Sequence, residues 1–388
     1  MNACIIGWGH TRFGKHDDAN LEALIVSATR EALEHAGVDG RDVDAIWLGH
    51  LGGGLVPEIF TSSLVMQADP SLRWRPATRV ENACASGAGA LFAACDAIAA
   101  GRTRIALVVG AEKMTGVSGA DVTRVLGSAS YYKEEGARGE TFPGIFAHIA
   151  QDYATRYGDP SEAMARIAAK NHANGALNPL AHMQRDVGFE FCNTVSDKNP
   201  LIVGNLRKTD CSLVSDGAAA IVLVSEDIAA NFKRAVRIRS RAQVSDLMPM
   251  SARDVTSFEG PRRAWAQALD AAGLRVNDLS LAEVHDCFTI AELLAYEAMG
   301  LAAPGQGARV LEEGLVMRDG KLPVNASGGL KSKGHPIGAT GVSMHVMAAM
   351  QLTGTAGQLQ VPDAELAAIF NMGGAAVANY VSILEPVR

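Results

Sequence analysis

No stretch of this chain approaches the roughly 18 uninterrupted apolar residues of a membrane span, because Asp, Arg or Lys breaks each alanine-rich segment. The opening Met1-Asn2-Ala3-Cys4-Ile5-Ile6-Gly7-Trp8-Gly9 lacks the basic region and long apolar core of a secretory leader and reads as a first strand. A cytoplasmic protein is therefore expected. Basic runs are missing too. The formal charge is −7 and the Lys and Arg residues are scattered, so there is no field to attract nucleic acid, and an anionic ligand must be met by local Lys, Arg or helix ends. The six cysteines (Cys4, Cys84, Cys95, Cys192, Cys211 and Cys287) form no C-x-x-C pair and no zinc or iron–sulfur spacing, so free thiols and no metal are expected. Cys4 and Cys95 sit on apolar faces, and Cys192 and Cys211 lack a nearby histidine or glycine turn. These four read as structural.

What is present is a globular chain. With 388 residues and 48% hydrophobic content it is long enough for two cores. Cys84 stands in Val-Glu-Asn-Ala-Cys-Ala-Ser-Gly-Ala-Gly-Ala, between a loop and the first turn of an alanine-rich helix. Unpaired backbone N–H groups and the helix dipole favour a thiolate there, the form that attacks carbonyls. A cysteine among alanines and glycines is also what a tight helix contact looks like. Its company decides between the two readings: Cys287 in Val-His-Asp-Cys-Phe and His335 in Lys-Gly-His-Pro-Ile-Gly-Ala-Thr-Gly also fall at breaks between elements.

The chain carries an internal repeat. Glu-Ala-Leu-Glu-His-Ala-Gly-Val-Asp-Gly-Arg-Asp from Glu31 matches Gln-Ala-Leu-Asp-Ala-Ala-Gly-Leu-Arg-Val-Asn-Asp from Gln267 at Ala32/Ala268, Leu33/Leu269, Ala36/Ala272, Gly37/Gly273 and Asp42/Asp278. Each copy predicts an amphipathic helix, a glycine cap, an acidic turn and a strand, Val43 to Leu48 in one and Leu279 to Val284 in the other. A glycine-rich loop, an alanine-rich helix opening at Cys84 or just after His335, and a buried strand (Arg104 to Gly110, Glu365 to Phe370) follow in each. This is α/β, a duplicated α-β-α layered core, with the first half over 1–225 and the second over 226–388. Active groups are expected where strand ends of the two halves meet. From about 112 to 208 the pattern weakens into an inserted loop domain of short helices, placed to form a lid and set specificity, before a strand from Ala218 to Ser225 returns the chain to the sheet. Gly7-Trp8-Gly9 reads as a strand end and turn, not a dinucleotide fingerprint, and Gly52-Gly53-Gly54 and Gly328-Gly329 as places of close backbone approach.

These blocks together resemble the thiolases, of the sterol-carrier-protein-2 type, over essentially the whole chain. Asn82-Ala83-Cys84-Ala85-Ser86-Gly87 is similar to the nucleophile block, Gly334-His335-Pro336-Ile337-Gly338 to the histidine block, Ser215-Asp216-Gly217-Ala218 to the strand after the loop domain, and His285-Asp286-Cys287-Phe288 to the subgroup signature. One departure stands out: the Cys-x-Gly block of typical thiolases is Asn371-Met372-Gly373 here. The resemblance implies thiolytic cleavage of 3-oxoacyl-CoA, or the reverse Claisen condensation, through an acyl group on Cys84. It implies His335 as the base for Cys84 and Cys287 as the acid/base in place of the missing thiol. It also implies His285 and His335 as donors to the CoA thioester oxygen, and the backbone N–H groups of Cys84 and Gly373 as donors to the acyl oxygen. Coenzyme A is a substrate and no tightly bound cofactor is expected, and the resemblance implies a homodimer or a dimer of dimers and leaves room for an accessory protein. Competing readings are a ketosynthase-like condensing enzyme, against which Cys287 speaks; a steroid-side-chain-type aldolase, against which Cys84 speaks; and a non-catalytic acyl-CoA-binding subunit of a complex, against which the intact set speaks. The last strand runs nearly to Val387-Arg388, so no lipid-transfer domain is expected after the core.

Overall fold

A computed structural model describes residues 2–387. Met1 and Arg388, the outer bounds of the two expected halves, lie outside the described residues. The first half runs β1 (Ala3–His10), α1 (Leu21–Ala36), β2 (Ala45–Gly49), α2 (Thr61–Leu64), β3 (Ala77–Val80), α3 (Ser86–Ala99) and β4 (Ile105–Glu112). Next come α4 (Gly119–Gly127), α5 (Phe142–Tyr157), α6 (Ser161–Ala176), α7 (Phe189–Asn193), the small hairpin β5 (Leu201–Val203) and β6 (Leu206–Arg207), and then β7 (Gly217–Ser225). The rest is β8 (Val236–Ser245), α8 (Glu259–Ala272), β9 (Leu281–Val284), α9 (Thr289–Ala298), α10 (Gly307–Glu312), α11 (Ile337–Leu352), β10 (Ala367–Gly373) and β11 (Ala378–Pro386).

The repeat read in the sequence is a repeat in space. The large sheet has the order β3-β2-β4-β7-β1-β8-β11-β10-β9, so the equivalents β1/β8, β7/β11, β4/β10 and β2/β9 spread outward symmetrically from its centre. β3 has a residual counterpart too, since Val324 bridges Ala282 in parallel beside β9. The two matched helices end alike, on Gly37 and Gly273 at φ 67° and 66°, the left-handed cap that only glycine adopts without strain. Helix α1 starts on Asn20, whose side chain accepts from Ala23 N, and buries Leu21, Leu24, Ile25, Ala28, Ala32 and Leu33 at helical spacing against β1 and β7. Gly7 and Gly9 are not a strand end and turn: β1 runs through both to His10, and a Cβ on Gly9 would overlap the Ala28 carbonyl of α1.

Helices α3 and α11 pack together and are buried nearly all round. Their alanines and glycines are a packing device: a Cβ on Gly87 would come within 2.8 Å of the Gly338 carbonyl, and one on Gly341 would overlap Ala88 N. The N-terminal ends of the two helices therefore meet, and with them the segments that carry Cys84 and His335. The inserted segment differs from expectation in one respect, because α5 and α6 are each 16 residues long. Their apolar faces were diluted by His, Asn and Tyr in the sequence, but Phe146, Ile149, Met164 and Ile167 are buried against the second half. Among the described residues, no helix is long and apolar enough to cross a membrane.

Candidate active site

Ala83 holds φ at +49°, a left-handed conformation that costs a β-carbon roughly 1–2 kcal/mol. A tight net of bonds fixes it: Asn82 N donates to Ser86 Oγ at 2.9 Å, Ser86 Oγ to Ala83 O at 2.7 Å, and Ala85 N to Asn82 O at 3.0 Å. The turn presents Cys84 two residues ahead of α3, at the floor of a cavity of about 490 Å³. Cys287, placed by the break between β9 and α9, and His335, placed just before α11, line the same cavity. Cys84 Sγ and one ring nitrogen each of His285 and His335 lie within 4.8 Å of one another, and all three residues are buried. The two imidazoles meet edge to face, 5.2 Å between centres. All four expected catalytic side chains thus converge, from three segments drawn from both halves.

The electrostatics differ from the expectation for Cys84. Burial pushes its thiol up to about 12, and the N–H groups of Gly374 and of Cys84 itself pull the other way without overcoming it. Desolvation outweighs the helix end, and the thiol rests protonated. Burial, with Cys84 and Asp286 adding like charge, pushes the Cys287 thiol up as well. Burial, reinforced by the Lys333 ammonium, brings His335 down to about 3, and burial followed by His335 lowers His285 well below its ordinary value. Both rings are neutral. Gly373 ends β10, and the backbone N–H that touches the Cys84 sulfur is that of its neighbour Gly374.

Several residues that the sequence did not single out complete the site. Thr340 Oγ1 donates to Pro336 O at 3.0 Å, so it presents a lone pair to His335 Nδ1 at 2.7 Å; the ring proton is on Nδ1 and Nε2 is free to accept. Thr340 lies two residues past the histidine block, one turn of helix on from Pro336. Glu112, buried at the end of β4, accepts from Leu51 N at 2.9 Å, Gly52 N at 3.1 Å and Gly338 N at 3.1 Å, tying the glycine loop to the N-terminus of α11. Asp286 fastens the turn before His335 by accepting from Leu330 N at 2.6 Å and Lys331 N at 3.1 Å, and the close approach expected at Gly329 is to this carboxylate. Asn371, which the sequence offered only as a missing cysteine, donates from Nδ2 to Cys84 O at 3.2 Å and pairs with His285 Nδ1 at 2.9 Å. Cys211, read as structural, lines the cavity.

The cavity has two chemistries. Leu51, Met114, Val122, Leu126, Phe142 and Ile337 make an apolar wall, and Lys15, Thr115, His182 and Ser212 supply polar groups elsewhere on the lining. Val122 and Leu126 come from α4 and Phe142 from α5, so the inserted segment builds much of the wall.

Comparison with known proteins gives this geometry a family context. The family model "Thiolase, N-terminal domain" matches residues 3–227 and "Thiolase C-terminal domain-like" matches 242–386. An acetyl-CoA acetyltransferase of Methanothermobacter thermautotrophicus is 38% identical over 376 residues, 96% of each chain. Human sterol carrier protein 2 is 31% identical over 391 residues, covering 95% of this chain and 69% of that protein. Among solved structures, human mitochondrial 3-ketoacyl-CoA thiolase in complex with CoA superposes with a TM-score of 0.76 at 17% identity, over 100% of this chain and 98% of that one. An Ltp2-ChsH2(DUF35) aldolase superposes with a TM-score of 0.85 at 24% identity, over 100% and 98%. At these identities the solved structures establish the shared fold alone.

Proposed function

The chain belongs to the thiolase family, of the sterol-carrier-protein-2 type, and acts as an acyl-CoA:acetyl-CoA C-acyltransferase; from that premise we propose that Cys84 carries the acyl group, His335 exchanges its proton, and Cys287 handles the proton of the α-carbon. The observation that carries the reading is the convergence of Cys84, His285 and His335 within 4.8 Å on a cavity that Cys287 also lines.

In the cleavage direction, Cys84 Sγ adds to the 3-oxo carbon of the substrate and its proton passes to His335 Nε2. A resting thiol and a neutral imidazole suit this order, since the proton moves as the new bond forms. The C2–C3 bond then breaks. Its electron pair becomes the enolate of acetyl-CoA, and the Cys287 thiol delivers a proton to the carbon. The enolate oxygen is met by His335, now carrying a proton on Nε2, and by His285; the acyl oxygen is met by the N–H groups of Cys84 and Gly373. Each such donor lowers the barrier by roughly 3 kcal/mol. Acetyl-CoA leaves, a second CoA thiol gives its proton to the Cys287 thiolate and attacks the acyl group, and the departing Cys84 sulfur recovers its proton from His335. Every group ends as it began, and no tightly bound cofactor enters.

The polar part of the lining supports a CoA arm, whose amides need hydrogen-bond partners, and the apolar wall of α4 and α5 supports an uncharged acyl chain. A homodimer or dimer of dimers belongs to the same reading. The exposed Ile59, Phe60 and Trp74 near the free edge strand β3 support self-association. An accessory subunit, of the DUF35 kind that accompanies the aldolase of similar fold, is a further part of the reading, tested by co-purification. The decisive assay is CoA-dependent loss of acetoacetyl-CoA. The intact protein is expected to catalyse it and Cys84→Ala to fall to background; an inactive intact protein that takes up no acyl group from any acyl-CoA would favour a binding subunit.

A further inference from the structure

We infer that Asn371 sets the tautomer of His285, placing the single ring proton on Nε2, the ring nitrogen turned away from the amide. The kinetic consequence rests on the acyltransferase reading above; the position of the proton is a property of the fold and can be measured apart from it.

The amide nitrogen of Asn371 lies 3.2 Å from the Cys84 carbonyl oxygen and 2.9 Å from His285 Nδ1, and both side chains are fully buried. The two ends of an amide are told apart by their partners, and the Cys84 carbonyl decides here. It has lone pairs only, so the NH2 group must face it; turned over, the amide would set its own oxygen against that carbonyl oxygen, two acceptors together. The second hydrogen of that NH2 points at His285 Nδ1, which must then offer its lone pair. A neutral imidazole with Nδ1 as acceptor carries its proton on Nε2. His285 Nε2 is buried and has no partner, as a donor held ready for an incoming oxygen would be. The Asn371 carbonyl oxygen turns away to α11, where the missing side chain of Gly341 makes room for it.

The strand geometry makes this pairing possible. Asn371 follows Phe370 on β10, and Phe370 pairs in parallel register with Val284, the residue before His285 on β9. The two side chains are therefore neighbours across the ladder. Asn371 occupies the position where other thiolases carry the cysteine of their Cys-x-Gly block. In this chain that position has no proton to transfer to substrate, and it is a positioning residue that acts through His285. With the proton on Nε2, His285 donates to the enolate oxygen; with the proton on Nδ1, a lone pair would face the developing negative charge.

Nitrogen-15 NMR of protein labelled at histidine, with the His285 signals assigned by their loss in His285→Gln, reads the tautomer directly. The intact protein is expected to show His285 protonated on Nε2. In Asn371→Asp the carboxylate accepts from Nδ1, so the proton should move to Nδ1. Cleavage of acetoacetyl-CoA should then fall roughly 10²- to 10⁴-fold, the range set by losing one oxyanion donor and by a wrong tautomer. Transfer of acetyl from acetyl-CoA to Cys84, which breaks no carbon–carbon bond and uses the other oxyanion site, should persist. A His285 protonated on Nδ1 in the intact protein, unchanged cleavage in Asn371→Asp, or equal loss of both steps in a folded variant would each overturn the inference. If the intact protein took up no acetyl group at all, the acyltransferase reading would fail while the NMR result still decided the tautomer.

Discussion

At the scale of single residues, the site works by arranging neutral partners. Cys84 was expected to gain thiolate character from a helix end, but it lies ahead of the helix and is only 7% exposed, and burial dominates. What remains is a thiol beside an imidazole whose free nitrogen is chosen by Thr340. Thr340→Val keeps the volume and removes the acceptor for His335 Nδ1–H. The ring then loses its preferred tautomer, and kcat is expected to drop roughly tenfold to a hundredfold with KM little changed, since the acceptor matters for proton transfer and not for binding. Steady-state kinetics on acetoacetyl-CoA checks this; an unchanged kcat would mean that Thr340 does not choose the nitrogen. The side chains proposed as catalytic could be singled out in the sequence because each stands in a motif at a break between elements. Thr340, Glu112 and Asn371 were not, because their work is done through hydrogen bonds to partners as far as 287 residues away, as for Asn371 and Cys84.

At the scale of elements, the alanine- and glycine-rich faces of α3 and α11 bring the two halves of the site together. A side chain on Gly341 would press on Ala88 N and on the Asn371 amide at once. Gly341→Val is therefore expected to cost at least about 3 kcal/mol of stability, the upper part of the overpacking range, because one of the atoms it meets is backbone. Urea denaturation measures it, and a loss under about 1 kcal/mol would show that the helices can slide apart freely. The repeat made α1, α8 and the strands after them readable, since amphipathic spacing and a glycine cap are local signals. The length of α5 and α6 was not readable, because their buried faces include polar residues that find partners only in the folded protein, such as Lys170 with Glu292 at 2.8 Å and Asn171 with Asp286 at 2.7 Å.

Over the whole molecule, the two halves share one sheet that joins at β1 and β8, and the symmetry seen in twelve residues of sequence extends to the order of the strands. The sequence could not show that the halves fuse edge to edge, since the ladder there is short, pairing Cys4 with Arg237 and Ile5 with Val236 among the described residues. Burial of neutral histidines gives the protein a marked acid sensitivity. His10, His172 and His335 are brought down to about 3 and His345 to about 4, in each case chiefly by burial. Such a group takes its proton in the unfolded chain first. Its contribution is complete above the unfolded value near 6.5 and is lost as the pH falls toward the folded value, by about 2 kcal/mol for each histidine at pH 5. Thermal midpoints should therefore fall between pH 6.5 and pH 4.5, the four histidines outweighing the opposing group Asp286, whose carboxyl is pushed up to about 7 by burial; a flat profile there would mean that these histidines are charged in the fold.

Cys84 as the acyl carrier and Cys287 as a separate proton carrier are tested together by one experiment: Cys287→Ala is mixed with acetyl-CoA, its intact mass and the modified peptide are read, and acetoacetyl-CoA cleavage is assayed on the same sample. One acetyl group on Cys84 together with loss of cleavage is the predicted result. An acetyl group on another residue, no acetyl group although the intact protein acquires one, or cleavage at the intact protein's rate would contradict it.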